Sequence, residues 1–196
     1  MKSRIMMALM MLVAVQTWAL NLGDSIPMAD TKMKNVDDKE LSVADVKGEK
    51  GTLVIFSCNH CPFVIAWEER IAALGNEYRK KGIGVIQINS NDPKTAGDTF
   101  EAMQKRTKER GFEFPYVVDA TSDVARAFGA SRTPELFLFD AAGKLVYHGA
   151  VDDNKEASNV KDRFLKDALE AVVAGKEAPV KETKAVGCSI KFRTKG

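Results

Sequence analysis

Cys58 and Cys61 stand three residues apart in the run Cys58-Asn59-His60-Cys61. At that spacing one sulfur can close on the other, so the pair can cycle between a dithiol and a disulfide. The attacking species in such exchange is a thiolate, which needs an environment that favours negative charge. Thr52 to Ser57, just before the pair, is a short apolar run suited to a strand buried on both faces. Pro62, just after it, suits the first position of a helix. A helix N-terminus presents unpaired N–H groups and a partial positive charge. Cys58 is therefore expected to be the charged sulfur, with Cys61 one turn inside the helix to resolve a mixed disulfide. His60 is expected to tune the potential, because an imidazolium beside Cys58 stabilises the reduced form and makes the disulfide a stronger oxidant. A structural disulfide and a metal site are the competing uses of the pair. The metal site needs more ligands, and beyond the motif only His148 and Cys188 add a histidine or a thiol.

The elements that position the motif read as an α/β chain. Phe63, Trp67, Ile71, Leu74 and Tyr78 recur at helical spacing and predict a helix to about Lys81. Trp67 belongs to this stripe and is expected in the core. Ile83–Ile88 reads as a second buried strand, so the order strand, helix, strand implies a parallel pair with a crossover helix. Asn89 to Asp98 is a polar loop at the carboxyl end of that strand, where α/β sites form; Asn91 and Asp92 are candidates to line a cleft there. A charged helix over Thr99–Arg110, a strand at Tyr116–Val118 and a helix over Ser122–Phe128, with Ser122 as N-cap, follow. Glu135–Phe139 and Lys144–Gly149 predict a hairpin, with His148 in a structural role. Val160–Ala174 predicts an amphipathic helix closed by Gly175.

The N-terminus sets the expected compartment. Lys2 and Arg4 precede the apolar run Ile5–Val15, and small residues flank Trp18. That order reads as a signal peptide over residues 1–19, cut after Ala19, because the run is far short of the ~20 apolar residues of a membrane span. The expected location is periplasmic or secreted, with no stable membrane span after cleavage. The remaining 177 residues carry 27 basic and 27 acidic side chains. A neutral chain has no electrostatic footprint for nucleic acid. The expected organisation is one domain over residues 20–175 and a C-terminal tail, 176–196, carrying Cys188. Three cysteines leave at least one thiol unpaired within the chain. Cys188 reads as a resolving thiol for Cys58, a third metal ligand, or a non-catalytic thiol.

Ser57-Cys-Asn-His-Cys-Pro-Phe63, with Arg132-Thr133-Pro134 ahead of a strand, resembles the thioredoxin superfamily. The resemblance implies a thioredoxin-like fold, a central mixed and mostly parallel sheet flanked by helices. It also implies a cis Thr133–Pro134 bond in a loop that faces the cysteines and binds the substrate backbone. Cys-Asn-His-Cys-Pro, Ile88-Asn-Ser-Asn-Asp92 and the tail Val186-Gly-Cys-Ser-Ile-Lys191 further resemble a peroxiredoxin-like branch of the redoxin group, relatives of alkyl hydroperoxide reductase and thiol-specific antioxidant proteins. Two departures stand out. Peroxidatic sites place Thr three residues and Pro seven residues before the cysteine, where this chain has Ile55 and Gly51. Thioredoxins place a buried acid about six residues before the first cysteine, where this chain has Thr52.

The resulting expectation is an exported thiol–disulfide oxidoreductase. Cys58, Cys61, His60 and Pro134 are its catalytic candidates; Thr133, Asn59, Arg132 and Asn91 are its substrate-binding candidates. Its only redox group would be the Cys58–Cys61 disulfide, with no cofactor and no metal. Its partners would be protein or small-molecule thiols and disulfides and a redox donor or acceptor protein. A thiol peroxidase with Cys58 as peroxidatic cysteine, and a copper or zinc binding protein using Cys58, Cys61 and Cys188, are the alternatives.

Overall fold

The computed structural model describes residues 20–95 and 97–194; the expected signal peptide lies outside the described residues. Among them, no helix is long and apolar enough to cross a membrane.

Nine strands and four α-helices follow one another: β1 (Met33–Asn35), β2 (Glu40–Leu41), β3 (Gly51–Phe56), α1 (Pro62–Arg79), β4 (Ile83–Asn89), α2 (Phe100–Arg110), β5 (Tyr116–Val118), α3 (Asp123–Phe128), β6 (Arg132–Thr133), β7 (Glu135–Asp140), β8 (Leu145–Gly149), α4 (Phe164–Val173) and β9 (Cys188–Ser189). The main sheet has the order β2-β1-β5-β4-β3-β7-β8. β3, β4 and β5 run parallel at its centre, and the flanking pairings are antiparallel.

Every residue of β3 and β4 is buried, as continuous apolar runs demand. The period-two alternation of a strand then splits β3 between two cores. Leu53 and Ile55 join Trp67, Ile71 and Leu169 under α1 and α4. Val54 and Phe56 join Val124, Phe128 and Phe137 on the opposite face. Trp67 Nε1 donates to Asp152 Oδ1 at 2.6 Å, so the ring is core with its one polar atom paired. His148 stacks on Phe137 and bonds Glu135 Oε1 at 2.8 Å, a structural role.

Local physics moves three expected boundaries. α4 begins at Phe164, not Val160, because the chain from Glu156 to Arg163 forms a 3-10 turn and a loop held by the Asp153 carboxylate. Ser122 precedes α3 but does not cap it: its backbone is left-handed, and its hydroxyl turns to the Ser90 carbonyl at 2.7 Å. The Asp119 carboxylate accepts from Ala125 N–H instead. Thr99 does cap α2, accepting from Ala102 N–H.

The C-terminal tail is docked on the domain at several points among its described residues. His148 N–H donates to Lys181 O and Thr183 N–H to His148 O beside β8, and a Cβ on Gly149 would strike Thr183. β9 then pairs with β6, Ile190 is buried, and Arg193 N–H reaches Ser122 Oγ at 3.0 Å.

Candidate active site

The motif lies at the carboxyl end of β3, between the loop after β4 and the loop before β7. Ser57 N–H still pairs with Ile88 O, so β3 carries the chain to the edge of the motif. Pro62 takes the first helical position, which makes Cys61 the N-cap of α1. This corrects the expectation that Cys58 meets the helix terminus and Cys61 lies one turn inside. Cys58 instead stands in the connecting segment ahead of the helix.

All three cysteines are free thiols; Cys58 and Cys61 are buried. Thr133 touches both. Its Oγ1 lies 3.2 Å from Cys58 Sγ, and its carbonyl oxygen 3.2 Å from Cys61 Sγ. The Thr133–Pro134 bond is cis and faces the pair, as the resemblance implies. The Cys188 sulfur stands 2.7 Å from that of Cys61.

Within this pair the Cys61 thiol is lowered and the Cys58 thiol raised. The Cys58 S–H, then the Cys188 thiol and the Val64 and Cys188 N–H groups, bring the Cys61 thiol well below the ordinary cysteine range, against the opposing effect of burial. When protonated, Cys61 gives its hydrogen to Thr133 O. Cys58 moves the other way: the Cys61 charge, burial and the Asp98 carboxylate raise its thiol, with only partial relief from Thr133. The helix cap, where the partial positive charge sits, falls on Cys61.

Asp98, taken from sequence as part of a polar loop, is a carboxylate packed beside the motif. It is buried. Its Oδ1 accepts from Asn59 N–H at 2.7 Å and its Oδ2 from Asn91 Nδ2 at 2.7 Å. His60 Nδ1 lies 2.8 Å from Oδ2, in ion-pair reach though off the line of a hydrogen bond. Gly97, with φ of +86°, brings this loop against His60, and its carbonyl accepts from Asn59 Nδ2 at 3.0 Å. His60 thus faces a carboxylate as well as Cys58. One ligand atom each of Cys58, His60 and Asp98 lies within 4.8 Å of the others.

The expected substrate-binding residues are largely engaged within the protein. Asn59 is buried, with Tyr116 OH donating to its Oδ1 at 3.0 Å and Arg106 to its carbonyl. Tyr116 stays a donor because burial, first of all, and the Asp98 carboxylate push its phenol well up. Asn91 braces Asp98 and accepts from Lys191 N–H at 2.7 Å. Arg132 is exposed and donates to Gly187 O at 3.2 Å. Glu135 fixes the loop ahead of Pro134 by accepting the Ser131 and Arg132 N–H groups, both at 2.8 Å.

The Redoxin family model matches residues 21–163. The chain belongs to the Redoxin family. Two solved structures resemble this redoxin over most of its length. An uncharacterized conserved protein of Geobacillus kaustophilus is 36% identical, covers 90% of this chain and 94% of its own, and has a TM-score of 0.83. A hypothetical protein of Sinorhizobium meliloti 1021 is 35% identical, covers 90% and 97%, and has a TM-score of 0.82. A thioredoxin-like protein solved in its oxidized form, 18% identical with a TM-score of 0.64, shares the fold. Among curated relatives, the thiol-disulfide oxidoreductase ResA of Halalkalibacterium halodurans is 24% identical over 114 residues, 58% of this chain and 61% of that protein. ResA of Geobacillus thermodenitrificans is 25% identical over 130 residues, 65% of this chain and 68% of that protein.

Proposed function

We propose that this redoxin is an exported thiol–disulfide oxidoreductase whose Cys58–Cys61 pair exchanges disulfides with protein or small-molecule thiols. One observation carries the reading: two buried cysteines packed in one cluster, both touching Thr133 ahead of a cis proline, with one of them capping a helix. Such a cap holds one sulfur as thiolate, and the thiolate is the species that attacks a disulfide and the group that leaves one. The ResA relatives carry this activity in their names, which supports the same chemistry here. Export rests on the basic start and apolar run of residues 1–19.

In the cycle, a reduced partner dithiol gives two electrons to the Cys58–Cys61 disulfide and leaves oxidised, while the redoxin is left as a thiol and a thiolate. The reverse direction reduces a partner disulfide. Pro134 and Thr133 would orient the partner chain, and His60 with Asp98 would set the electrostatic field at Cys58. The test is disulfide formation in a reduced, unfolded protein held in glutathione buffer. The wild-type chain accelerates it, and replacing Cys58 and Cys61 together by Ser abolishes the acceleration. A wild-type chain that adds nothing to the buffer's own rate overturns the reading.

The thiol-peroxidase reading has one observation in its favour. The hydroxyl missing at Ile55 is replaced by Thr133 Oγ1, 3.2 Å from Cys58 Sγ. Under it, Cys58 becomes a sulfenic acid and condenses with a neighbouring thiol. Rapid consumption of hydrogen peroxide that Cys58→Ser stops is the result that selects it.

A further inference from the structure

The two sulfurs of the motif are 1% and 0% exposed, so an outside thiol cannot meet them directly in this conformation. Cys188 is partly exposed, and its sulfur is already against Cys61. Thr133 pairs with Cys188 and Arg132 with Ser189 in an antiparallel ladder, so the strand edge beside the cis proline is filled by the chain's own C-terminal segment. That segment is fixed on both sides of the sulfur. Upstream, a Cβ on Gly187 would fall 2.6 Å from the Thr133 carbonyl carbon, so only glycine fits. Downstream, Ile190 N–H pairs with Ser131 O at 2.9 Å, and Lys191 pairs with Asn91 Oδ1 and Asp92 N–H, each at 2.7 Å. A segment held by its backbone at four points is built to keep one sulfur in place.

We propose that Cys188 is the third member of a linear sulfur relay, Cys58–Cys61–Cys188, through which outside thiols exchange with the buried pair. The proposal rests on the dithiol reading above. In the oxidised chain the Cys188 thiolate attacks Cys61 Sγ. The Cys61–Cys188 bond forms, the Cys58–Cys61 bond breaks, and the electron pair goes to Cys58 Sγ, which takes up the proton that Cys188 released. The chain neither gains nor loses electrons, so no oxidant is needed. The disulfide now has one end partly exposed. A dithiol donor attacks Cys188 Sγ, the pair of electrons passes to Cys61, and the donor's second thiol resolves the mixed disulfide and frees Cys188. The donor is oxidised by two electrons and the chain is reduced by two. Cys61 is central to both bonds: it is the sulfur attacked in the first exchange, where Cys58 leaves, and its lowered thiol makes it the faster leaving group in the second, when the donor attacks Cys188. Closing the second bond requires the sulfurs to move from 2.7 Å to about 2.0 Å. In the reduced chain burial and then Cys61 raise the Cys188 thiol, while Lys191 and Arg132 oppose this in part and place positive charge where a thiolate would arrive.

The test maps the disulfide in the full chain. Protein is equilibrated in oxidising glutathione buffer, free thiols are blocked with N-ethylmaleimide, and tryptic fragments are weighed. Cys58 and Cys61 fall together in fragment 51–70 and Cys188 in fragment 185–191. The relay predicts a population of 51–70 joined to 185–191 with the label on Cys58. That joined species is lost in Cys188→Ser and becomes the main product in Cys58→Ser. A wild-type chain that closes Cys58–Cys61 while Cys188 is always labelled, with no joined species in Cys58→Ser, overturns the relay and leaves the dithiol reading standing. A chain whose three cysteines stay labelled at every glutathione ratio overturns the dithiol reading and the relay with it.

Discussion

The sharpest consequence of a charge resting on Cys61 is a proton count. The Cys61 thiol is drawn down to about 4, first by the Cys58 S–H and then by the Cys188 and Val64 donors, while Cys58 is pushed up. Between about pH 5 and about pH 8, above the lowered value and below the raised one, the reduced pair holds one proton instead of two. Reducing the disulfide with two glutathione thiols then releases one proton net. The equilibrium constant with glutathione should shift toward reduced protein about tenfold per pH unit, equivalent to about 30 mV for a two-electron couple. The sign follows from linkage. A depressed value favours the folded reduced state above the ordinary thiol range, and that gain is lost as pH falls through the depressed value. Trp67 is the only tryptophan beyond the expected signal segment and stacks on Phe63, which packs against the two cysteines, so its fluorescence reports the transition. The assay is a set of glutathione titrations at four pH values, with the half-reduction ratio read at each. A ratio that does not move with pH would mean that both thiols carry protons, and would refute the charge assignment.

Two substitutions test the supporting structure. Asp98→Asn keeps one acceptor oxygen but sets an amide against the Asn59 and Asn91 donors or against His60; it should cost about 1–3 kcal/mol in urea unfolding and lower the Cys58 thiol by removing a neighbouring charge. An unchanged unfolding midpoint would show that Asp98 is not the hub of this loop. Gly187→Ala forces a methyl into the Thr133 carbonyl, should cost about 1–3 kcal/mol, and should speed labelling of Cys188 in the reduced chain by unseating β9; labelling at the wild-type rate would show that the tail accommodates the methyl.

The sheet and its main helix were legible because their signals are local and redundant. β3 and β4 are mostly apolar and buried along their whole length, α1 carries a stripe at helical spacing, and the turn at Asp140–Gly143 separates two apolar runs. The cis Thr133–Pro134 loop was legible through resemblance. The position of the charge was within reach: Pro62 at the first helical position already makes Cys61 the cap, and pairing that fact with the dipole names the right sulfur. Asp98 was not legible. A carboxylate in a run of turn residues looks solvated, and only the approach of Asn59, Asn91 and His60 from other segments shows it buried. The course of residues 181–193 was hidden for the same reason. Its partners are backbone groups and side chains far away in sequence, at His148, Thr133, Ser131, Asn91 and Ser122, and they leave no period to read.

The account stands most directly on a count of labelled thiols across a graded series of glutathione redox buffers. The chain should carry three labels when fully reduced and one when oxidised, with the same midpoint approached from either side. Three labels at every ratio, or a loss of label that reducing buffer does not reverse, would contradict it.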